Sequence, residues 1–312
     1  MSKTFKIEFV YASFHEMLLY TRMCKVFNFV VLAILLPVAS LEAQETFDYA
    51  YTAPESYEAA FRLRLPTSRI DYVLVLVPGY NGDGRGMVND PAWQKFANEY
   101  HCAIVGCKLV RKDGGSLYEV VDYWSGEALL NALKHFSRRV GKPKIATAPL
   151  LLWGYSSGGV YSYNIANWKP NRVAGVVSVK SAYNTNDASD DMLKVPVLLI
   201  GGEKDDDRTD VIKHRFSVAR PFGKLWCFAV EAESGHEIGK SAMLGREFLR
   251  ATIEYHKAMA SNANSDASWC GDLNTHKIFP HAKQSIESTV WLPSESFAKA
   301  WQTFVGSEKT AK

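Results

Sequence analysis

Continuous apolar runs and helical patterns alternate along this chain from about residue 61 onward. Residues 61–65 (FRLRL) have period two, which predicts an edge strand with one solvent-exposed face. The remaining strand signals are unbroken apolar runs, typical of strands buried on both faces, at residues 71–77, 149–153, 173–179, 195–200 and 225–230. Strands that alternate with helices favour an α/β fold with a mostly parallel central sheet and helices on both faces.

Amphipathic spacing predicts the helices between these strands. Residues 93–100 follow Asp90 and Pro91, which form a good helix start, and residues 129–140 end before Gly141. A longer helical pattern spans residues 241–259. The chain therefore supplies strands and helices in the order that a layered α/β domain needs.

A polar, small-residue stretch at residues 261–268 (SNANSDAS) predicts a boundary between a main domain, residues 44–260, and a C-terminal extension, residues 261–312. Phe297, Trp301 and Phe304 in the extension have the spacing of one helix face. We expect these aromatic residues to pack on the main domain, and a partner-binding surface is the alternative.

The N-terminal segment, residues 1–43, has the features of a secretory signal peptide. Arg22 and Lys25 precede the apolar run 27–39, and small residues follow it. This run is shorter than the roughly 20 residues of a membrane-spanning helix. We expect export to the periplasm or the medium, with an uncleaved N-terminal anchor as the alternative. Met17 and Met23 are alternative starts, so residues 1–22 need not be translated.

Composition limits the kinds of molecule that this chain is expected to bind. With 47% hydrophobic and 22% charged residues and a net charge of +3, the chain is neither disordered nor fibrous. It has no basic stripe for nucleic acid and no polybasic patch for an anionic membrane. We therefore expect a small or polymeric uncharged substrate, no nucleic acid and no membrane beyond the signal segment. The oligomeric state stays open.

Five cysteines are present, and Cys24 would leave with the signal peptide. The other four permit two disulfides, and buried free thiols are the alternative. Cys102 and Cys107 bracket a strand-like AIVG at an odd separation, so they face opposite sides and are not expected to bond. No cysteine spacing resembles a zinc site, and neither a metal nor a cofactor is predicted.

One motif carries a definite chemistry. Residues 154–158 (GYSSG) match G-x-S-x-G, directly after an apolar strand and directly before the helical GVYSYNIANW. A sharp strand-to-helix turn exposes the central serine and needs small residues two positions to either side. Ser156 is therefore the candidate nucleophile. Ser157 is the weaker candidate, because it lacks the glycine two positions before it.

A serine nucleophile needs a histidine base and a carboxylate that orients the base. The run 195–200 is followed by Gly201-Gly202-Glu203-Lys204 and then Asp205, Asp206 and Asp207. His236 follows the last strand after Ser234 and Gly235. Both loops leave the carboxyl ends of strands, where open α/β sheets place their sites. Asp205 is the preferred acid, and Asp206 and Asp207 are alternatives.

Over residues 60–260 the chain resembles a serine esterase of the alpha/beta-hydrolase superfamily, in which nucleophile, acid and histidine occur in this order. VLVLVPGYNGDG and GYSSGG are most similar to the polyhydroxybutyrate depolymerase and feruloyl esterase-like branch, although Pro78 replaces that branch's usual histidine. The resemblance implies that residues 44–260 are a catalytic domain. It also implies that the backbone N–H groups of Tyr80 and Ser157 form the oxyanion hole.

These expectations combine into a carboxylesterase-like serine hydrolase. A peptidase or acyltransferase with the same triad, and a non-catalytic binding protein, are the alternatives. The loop GYNGDGRG matches no nucleotide-binding pattern, so we expect a flexible loop that lines the acyl site. The short segment between residues 179 and 195 leaves no room for a large lid, so the site should be open. Further aromatic residues could border it or anchor its loops: Tyr118, Tyr123, Trp124 and Tyr183.

Overall fold

The computed structural model describes residues 45–55, 57–111, 118–183, 187–222, 225–261, 268–280 and 288–306. The chain divides after Ala43 into two units. The predicted signal peptide, with Cys24, makes up the first unit and lies outside the described residues. Within the described ranges, no helix combines the length and the apolarity needed to span a bilayer.

An eight-stranded sheet in the order β1-β2-β4-β3-β5-β6-β7-β8 forms the centre of the second unit. β2 pairs antiparallel with both of its neighbours, and the other pairs are parallel. The mostly parallel sheet predicted from the apolar runs is confirmed. The strands are β1 (Thr46–Tyr51), β2 (Tyr57–Arg64), β3 (Tyr72–Val77), β4 (Cys102–Arg111), β5 (Leu150–Tyr155), β6 (Val173–Val179), β7 (Val197–Gly202) and β8 (Trp226–Glu231).

The prediction that residues 61–65 form an edge strand is wrong. β2 lies between β1 and β4, and its alternation arises because Phe61 and Leu63 are buried while Arg62 stays partly exposed. The Arg62 guanidinium pairs with Asp48 of β1 at 2.7 Å. At this end of the sheet the edge strand is β1, which has no fully buried residue and no apolar run.

The predicted helical patterns all form helices. Asp90 begins α1 by accepting hydrogen bonds from the backbone N–H groups of Ala92 and Trp93. α4 packs on β5 and β6, and α6 packs on β6. Short 3₁₀ or π helices occur at Gly84–Asn89, Val121–Ser125, Pro170–Arg172 and Met192–Lys194. The helices are α1 (Pro91–Glu99), α2 (Gly126–Arg139), α3 (Lys144–Thr147), α4 (Ser157–Trp168), α5 (Asp206–Ala219), α6 (Ser241–Ala260) and α7 (Glu295–Gly306).

The C-terminal extension covers the β8 end of the sheet. It contains a small antiparallel sheet in the order β10-β9-β11, made of β9 (Trp269–Asp272), β10 (Ile278–Pro280) and β11 (Thr289–Leu292). The α7 residues Phe297, Trp301 and Phe304 are buried. Both β11 and α7 contact β8, and the Trp301 indole Nε1 donates to the Phe228 carbonyl at 2.9 Å. The extension thereby shields the terminal strand from pairing with another chain.

All four cysteines among the described residues are buried free thiols: Cys102, Cys107, Cys227 and Cys270. Burial raises the pKa of the Cys107 thiol and that of the Cys102 thiol. Cys102 and Cys107 are not bonded to each other, as their strand positions predicted. These thiols act as small apolar core groups.

Replacing Trp301 by Ala should destabilise the whole domain. The substitution empties a fully buried volume and leaves the Phe228 carbonyl without its indole donor. We expect a loss of about 3–5 kcal/mol in the free energy of unfolding, measured by urea denaturation. The control is Lys299→Ala on the same helix, where the side chain is 66% exposed and the expected change is within about 0.5 kcal/mol. Equal unfolding midpoints for the two variants would contradict packing of the extension on the domain.

Candidate active site

Ser156 occupies the turn between β5 and α4, with a backbone φ of 54° and ψ of −125°. Non-glycine residues rarely adopt a positive φ, and such strain is common at functional sites. Two hydrogen bonds hold the turn: the Ser156 N–H donates to the Val179 carbonyl of β6 at 2.8 Å, and the Gly159 N–H donates to the Ser156 carbonyl at 2.8 Å. The strand-to-helix turn that the motif predicts is present.

Glycine is required on both sides of this turn. A Cβ atom at Gly154 would lie 2.0 Å from the Gly158 carbonyl oxygen, and one at Gly158 would lie 2.2 Å from the Pro78 carbonyl oxygen. Real Cβ atoms do not approach backbone so closely. The two glycines therefore bring β5, the start of α4 and the loop after β3 into direct contact.

The structure brings Ser156, Asp205 and His236 together. The His236 Nε2 atom lies 2.9 Å from Ser156 Oγ. On the other side of the ring, Nδ1 lies 3.0 Å from Asp205 Oδ1 and 2.9 Å from Oδ2. One imidazole therefore bridges a hydroxyl and a carboxylate, which is the geometry of a serine nucleophile, its base and the group that orients the base.

Of the three consecutive aspartates, Asp205 is the one at the histidine. Its side chain is 1% exposed and lies at the N-terminus of α5, directly after β7. Asp207 is exposed, and the side chain of Asp206 lies outside the described part of the chain. The Arg208 guanidinium lies 3.7 Å from Asp205 Oδ1. Asp205 therefore has a half-exposed cation beside it as well as the imidazole.

The loop after β3 lies against Ser156. A Cβ at Gly79 would be 3.2 Å from the Tyr155 ring and 3.6 Å from the Ser156 Cβ. Tyr80, whose N–H is the predicted oxyanion donor, is the next residue. Ser157 begins α4, so its N–H is among the helix N-terminal donors that have no partner within the helix. The two predicted donors thus lie on backbone segments that meet at the nucleophile.

Hydrogen bonds fix this loop, in contrast to the flexible loop that we predicted. The Asn81 side chain accepts from the Arg111 N–H at 2.9 Å and donates to the Arg111 carbonyl at 3.2 Å. Asp83 caps the turn Gly84–Asn89, and the Arg85 guanidinium lowers the pKa of Asp83 to about 2. Asp83 and Arg85 therefore bind each other. The Pro78 ring fills the space beside Gly82 and Gly84.

A buried acid, Glu119, lies next to Ser157, one of the two predicted oxyanion donors. Glu119 is 2% exposed, and its Oε2 atom has no hydrogen-bond partner among the described residues. Burial raises the pKa of Glu119, while its own backbone N–H, the Ser157 hydroxyl and the Arg111 cation oppose that rise. The Ser157 hydroxyl thus faces Glu119, whereas the Ser156 hydroxyl faces His236. This separation distinguishes the two adjacent serines.

The aromatic residues expected at the rim divide into two groups. Tyr118 and Trp124 are buried and anchor their loop. Tyr183 is 51% exposed, and the Arg208 guanidinium lies 6.0 Å from its ring centroid. Tyr123 is 59% exposed. Of the two alternatives that the sequence left open, Tyr118 and Trp124 are therefore loop anchors, because both fill the core beneath the loop.

Two residues that hold the histidine loop were not predicted. The Tyr155 hydroxyl donates to the His236 carbonyl, and the buried Lys180 ammonium donates to the Ser234 hydroxyl at 2.5 Å. Lys180 directly follows the fully buried β6 and has a φ of 51°. A lysine at the carboxyl end of a buried strand is a signal that could have indicated it. Among the described residues, no three His, Cys, Asp or Glu side chains cluster as metal ligands.

No protein-family model and no curated protein matches this chain. Several solved structures are similar to it. A thermostable esterase is 13% identical with a TM-score of 0.49, over 67% of this chain and 62% of its own. An S-formylglutathione hydrolase from Agrobacterium tumefaciens is 11% identical with a TM-score of 0.46, over 67% and 94%. A poly(3-hydroxybutyrate) depolymerase from Bordetella parapertussis is 14% identical with a TM-score of 0.41, over 70% and 91%.

The features of this chain itself define its fold. Its sheet has the order β1-β2-β4-β3-β5-β6-β7-β8, and β2 is antiparallel to both of its neighbours. The strained Ser156 turn follows the central strand β5, and the acid and histidine follow β7 and β8. The chain therefore has the alpha/beta-hydrolase fold, as its sequence predicted.

Proposed function

We propose that this protein is a serine hydrolase that cleaves carboxylic esters through an acyl-enzyme on Ser156. The observation that carries this proposal is the His236 ring, which lies 2.9 Å from the Ser156 hydroxyl and 2.9 Å from the Asp205 carboxylate. A serine in this position is strained, exposed to the site and adjacent to a base. These are the conditions under which a hydroxyl becomes a nucleophile.

In the first half of the reaction, Ser156 Oγ attacks the ester carbonyl carbon and its proton moves to His236 Nε2. The carbonyl π electrons move to the oxygen and form a tetrahedral oxyanion. When this intermediate collapses, the bond to the alkoxy oxygen breaks and the imidazolium gives its proton to the leaving alcohol. Asp205 holds the ring by accepting from Nδ1–H and stabilises the transient imidazolium.

In the second half, water replaces the alcohol. His236 takes a proton from the water as its oxygen attacks the acyl carbon, and the same proton returns to Ser156 Oγ when the acyl bond breaks. The products are a carboxylic acid and the free enzyme. Both halves pass through an oxyanion that the N–H groups of Tyr80 and Ser157 can stabilise, and one such donor contributes about 3–4 kcal/mol in comparable sites.

Exposed aromatic side chains suggest the kind of substrate. Tyr80 is 56% exposed beside the elbow, and Tyr183 is 51% exposed beside Arg208. The His236 side chain is itself 34% exposed, which supports an open site. We propose an ester with an apolar or aromatic acyl group, or a sugar-linked ester, that stacks on these rings.

Replacing the proposed nucleophile or the acid of the triad should lower the rate of ester hydrolysis to different extents. Ser156→Ala removes the nucleophile and should lower kcat by about a millionfold. Asp205→Asn leaves the ring without its orienting carboxylate and should lower kcat by about 10⁴-fold. The measurement is hydrolysis of p-nitrophenyl esters of short, medium and long acyl chains, which also gives the depth of the acyl pocket.

The matched control for the acid is Asp207→Asn, because Asp207 is exposed two residues from Asp205. It should hydrolyse esters at the wild-type rate, and a loss equal to that of Asp205→Asn would refute the assignment.

A phosphonate ester probe should modify Ser156 and no other residue. Faster cleavage of the matching anilides than of the esters would indicate a peptidase, and no labelling would indicate a binding protein.

Glu119→Gln should increase activity selectively at high pH. Because burial raises the pKa of Glu119, the carboxyl stays neutral at low pH and ionises as the pH rises through that raised value. The resulting negative charge beside Ser157 opposes the oxyanion. The ratio of kcat/KM between Glu119→Gln and wild type should therefore rise with pH. A ratio independent of pH would contradict this electrostatic role.

We also propose that residues 1–43 direct export and are removed. Expression of the full chain in a bacterial host should yield an exported protein that lacks this segment. Mass spectrometry of its N-terminus is the measurement, and a chain deleted for residues 1–43 is the control that should stay in the cytoplasm. Recovery of an intact N-terminus from the membrane fraction would instead support an uncleaved anchor.

A further inference from the structure

We propose that Lys180 is a positioning residue that holds the His236 loop in its reactive geometry. This inference rests on the proposed function. Lys180 lies at the end of β6, whereas His236 follows β8, two strands away across β7. Its side chain is 0% exposed, yet the ammonium reaches the histidine loop directly. In the part of the chain that the structure describes, its ammonium donates to neither Ser156 nor the His236 ring, so its other contacts must account for it.

Among the described residues, every hydrogen-bond partner of the Lys180 ammonium belongs to β8 or to the loop that follows it. The Nζ atom donates to Ser234 Oγ at 2.5 Å and to the Glu237 carbonyl at 2.5 Å, and it lies 3.3 Å from Glu231 Oε2. An ammonium group has three protons to donate. These three acceptors therefore use all three protons, and they lie on both sides of His236 in the sequence.

Space for this contact is provided by Gly202 at the end of β7. A Cβ there would lie 3.0 Å from Lys180 Cε and 2.5 Å from the Ser234 carbonyl oxygen. The lysine side chain therefore crosses β7 over a glycine to reach the histidine loop. The Lys204 N–H, two residues after β7, donates to the same Ser234 carbonyl at 2.8 Å. The histidine loop is therefore also hydrogen-bonded to the loop that follows β7.

Hydrogen bonds within the loop connect the Lys180 contact to the segment that contains His236. The Ser234 hydroxyl, which accepts from Lys180, donates to Glu237 Oε1 at 2.5 Å. The Gly235 N–H donates to the same oxygen at 3.0 Å. Residues 234–237 thus form a closed turn that has His236 inside it and the lysine ammonium at its base.

Glu231 closes the other end of the loop. One carboxylate oxygen accepts from the Lys240 N–H at 2.5 Å, and the other accepts from the Ser241 hydroxyl at 2.7 Å. Gly239, with φ 51°, leaves the space for this carboxylate, because a Cβ there would lie 2.3 Å from Glu231 Oε1. Glu231 thereby joins the end of β8 to the start of α6.

Two explanations for the lysine can be separated experimentally. If Lys180 only neutralises the buried Glu231, a variant that lacks both charges should have the stability and the rate of wild type. If Lys180 positions the loop, that variant should have wild-type stability and a lowered rate. Replacing a buried ion pair by neutral groups of similar size is often neutral for stability. The double variant Lys180→Met/Glu231→Gln is therefore the decisive protein.

The experiment compares this double variant with wild type and with Lys194→Met. Lys194 is 75% exposed and pairs only with Asp191 at the surface among the described residues, so it controls for a lysine-to-methionine change. Ester kinetics, thermal unfolding and amide deuterium uptake are measured for each protein. Ser234→Ala, which changes no charge, is the second variant in case the double variant does not fold.

We expect the double variant to unfold near the wild-type temperature, with kcat lowered about 100-fold and KM unchanged, as for a displaced catalytic group. Deuterium uptake should rise in residues 231–241 and nowhere else. Ser234→Ala should show the same pattern to a smaller degree, and Lys194→Met should match wild type.

A double variant with wild-type kcat, or one whose uptake rises evenly across the sheet, would overturn the positioning role. Deuterium uptake needs no turnover. If wild-type protein hydrolyses no ester, the proposed function fails, and the uptake of residues 231–241 still decides whether Lys180 holds this loop.

Discussion

The contact between three backbone segments beneath Ser156 is the constraint on which the rest of the site depends. Because a Cβ at Gly154 or at Gly158 would overlap a carbonyl oxygen, the end of β5, the start of α4 and the loop after β3 lie as close as backbone allows. The nucleophile and the loop that carries Tyr80 therefore cannot shift independently. Donors that are already in place cost no reorganisation when the oxyanion forms, which is where most stabilisation of such transition states arises.

The parts of the site that follow from local backbone rules could be predicted from sequence. A G-x-S-x-G motif between an apolar strand and a helix specifies the elbow, and an acid and a histidine after later strands meet at one sheet edge. The choice of Asp205 among three aspartates could not be made, because it depends on which carboxylate faces His236. Tertiary contact alone decides that.

Other features escaped prediction because their signal is not local. β1 has no fully buried residue, so no apolar run marks it, and β2 was mistaken for the edge in its place. For Tyr118 and Trp124 the sequence left open whether they border the site or anchor its loops, and both fill the core. Glu119 and Lys180 are charged residues whose burial opposes the usual preference for solvent. Glu119 contacts Ser157 and Lys180 contacts the loop after β8, both distant in sequence, although the place of Lys180 at the end of a buried strand is a local signal.

The three triad members differ in what holds them. Ser156 is fixed by the junction of β5 and α4, and Asp205 by the start of α5 directly after β7. His236 lies five residues beyond the end of β8 and five before α6 begins, so neither element determines its position. Loops of this kind are more mobile than the elements they connect, yet hydrogen bonding to Ser156 Oγ and Asp205 requires the ring to stay within tenths of an ångström. Contacts from elsewhere must supply that restraint, and in this chain they include those from Tyr155 on β5, Lys180 after β6 and Lys204 after β7. Burying an ammonium is costly and adds little net stability even when it is paired. Its benefit here is geometric, because three directed hydrogen bonds from one rigid strand end define the path of the loop that carries the base.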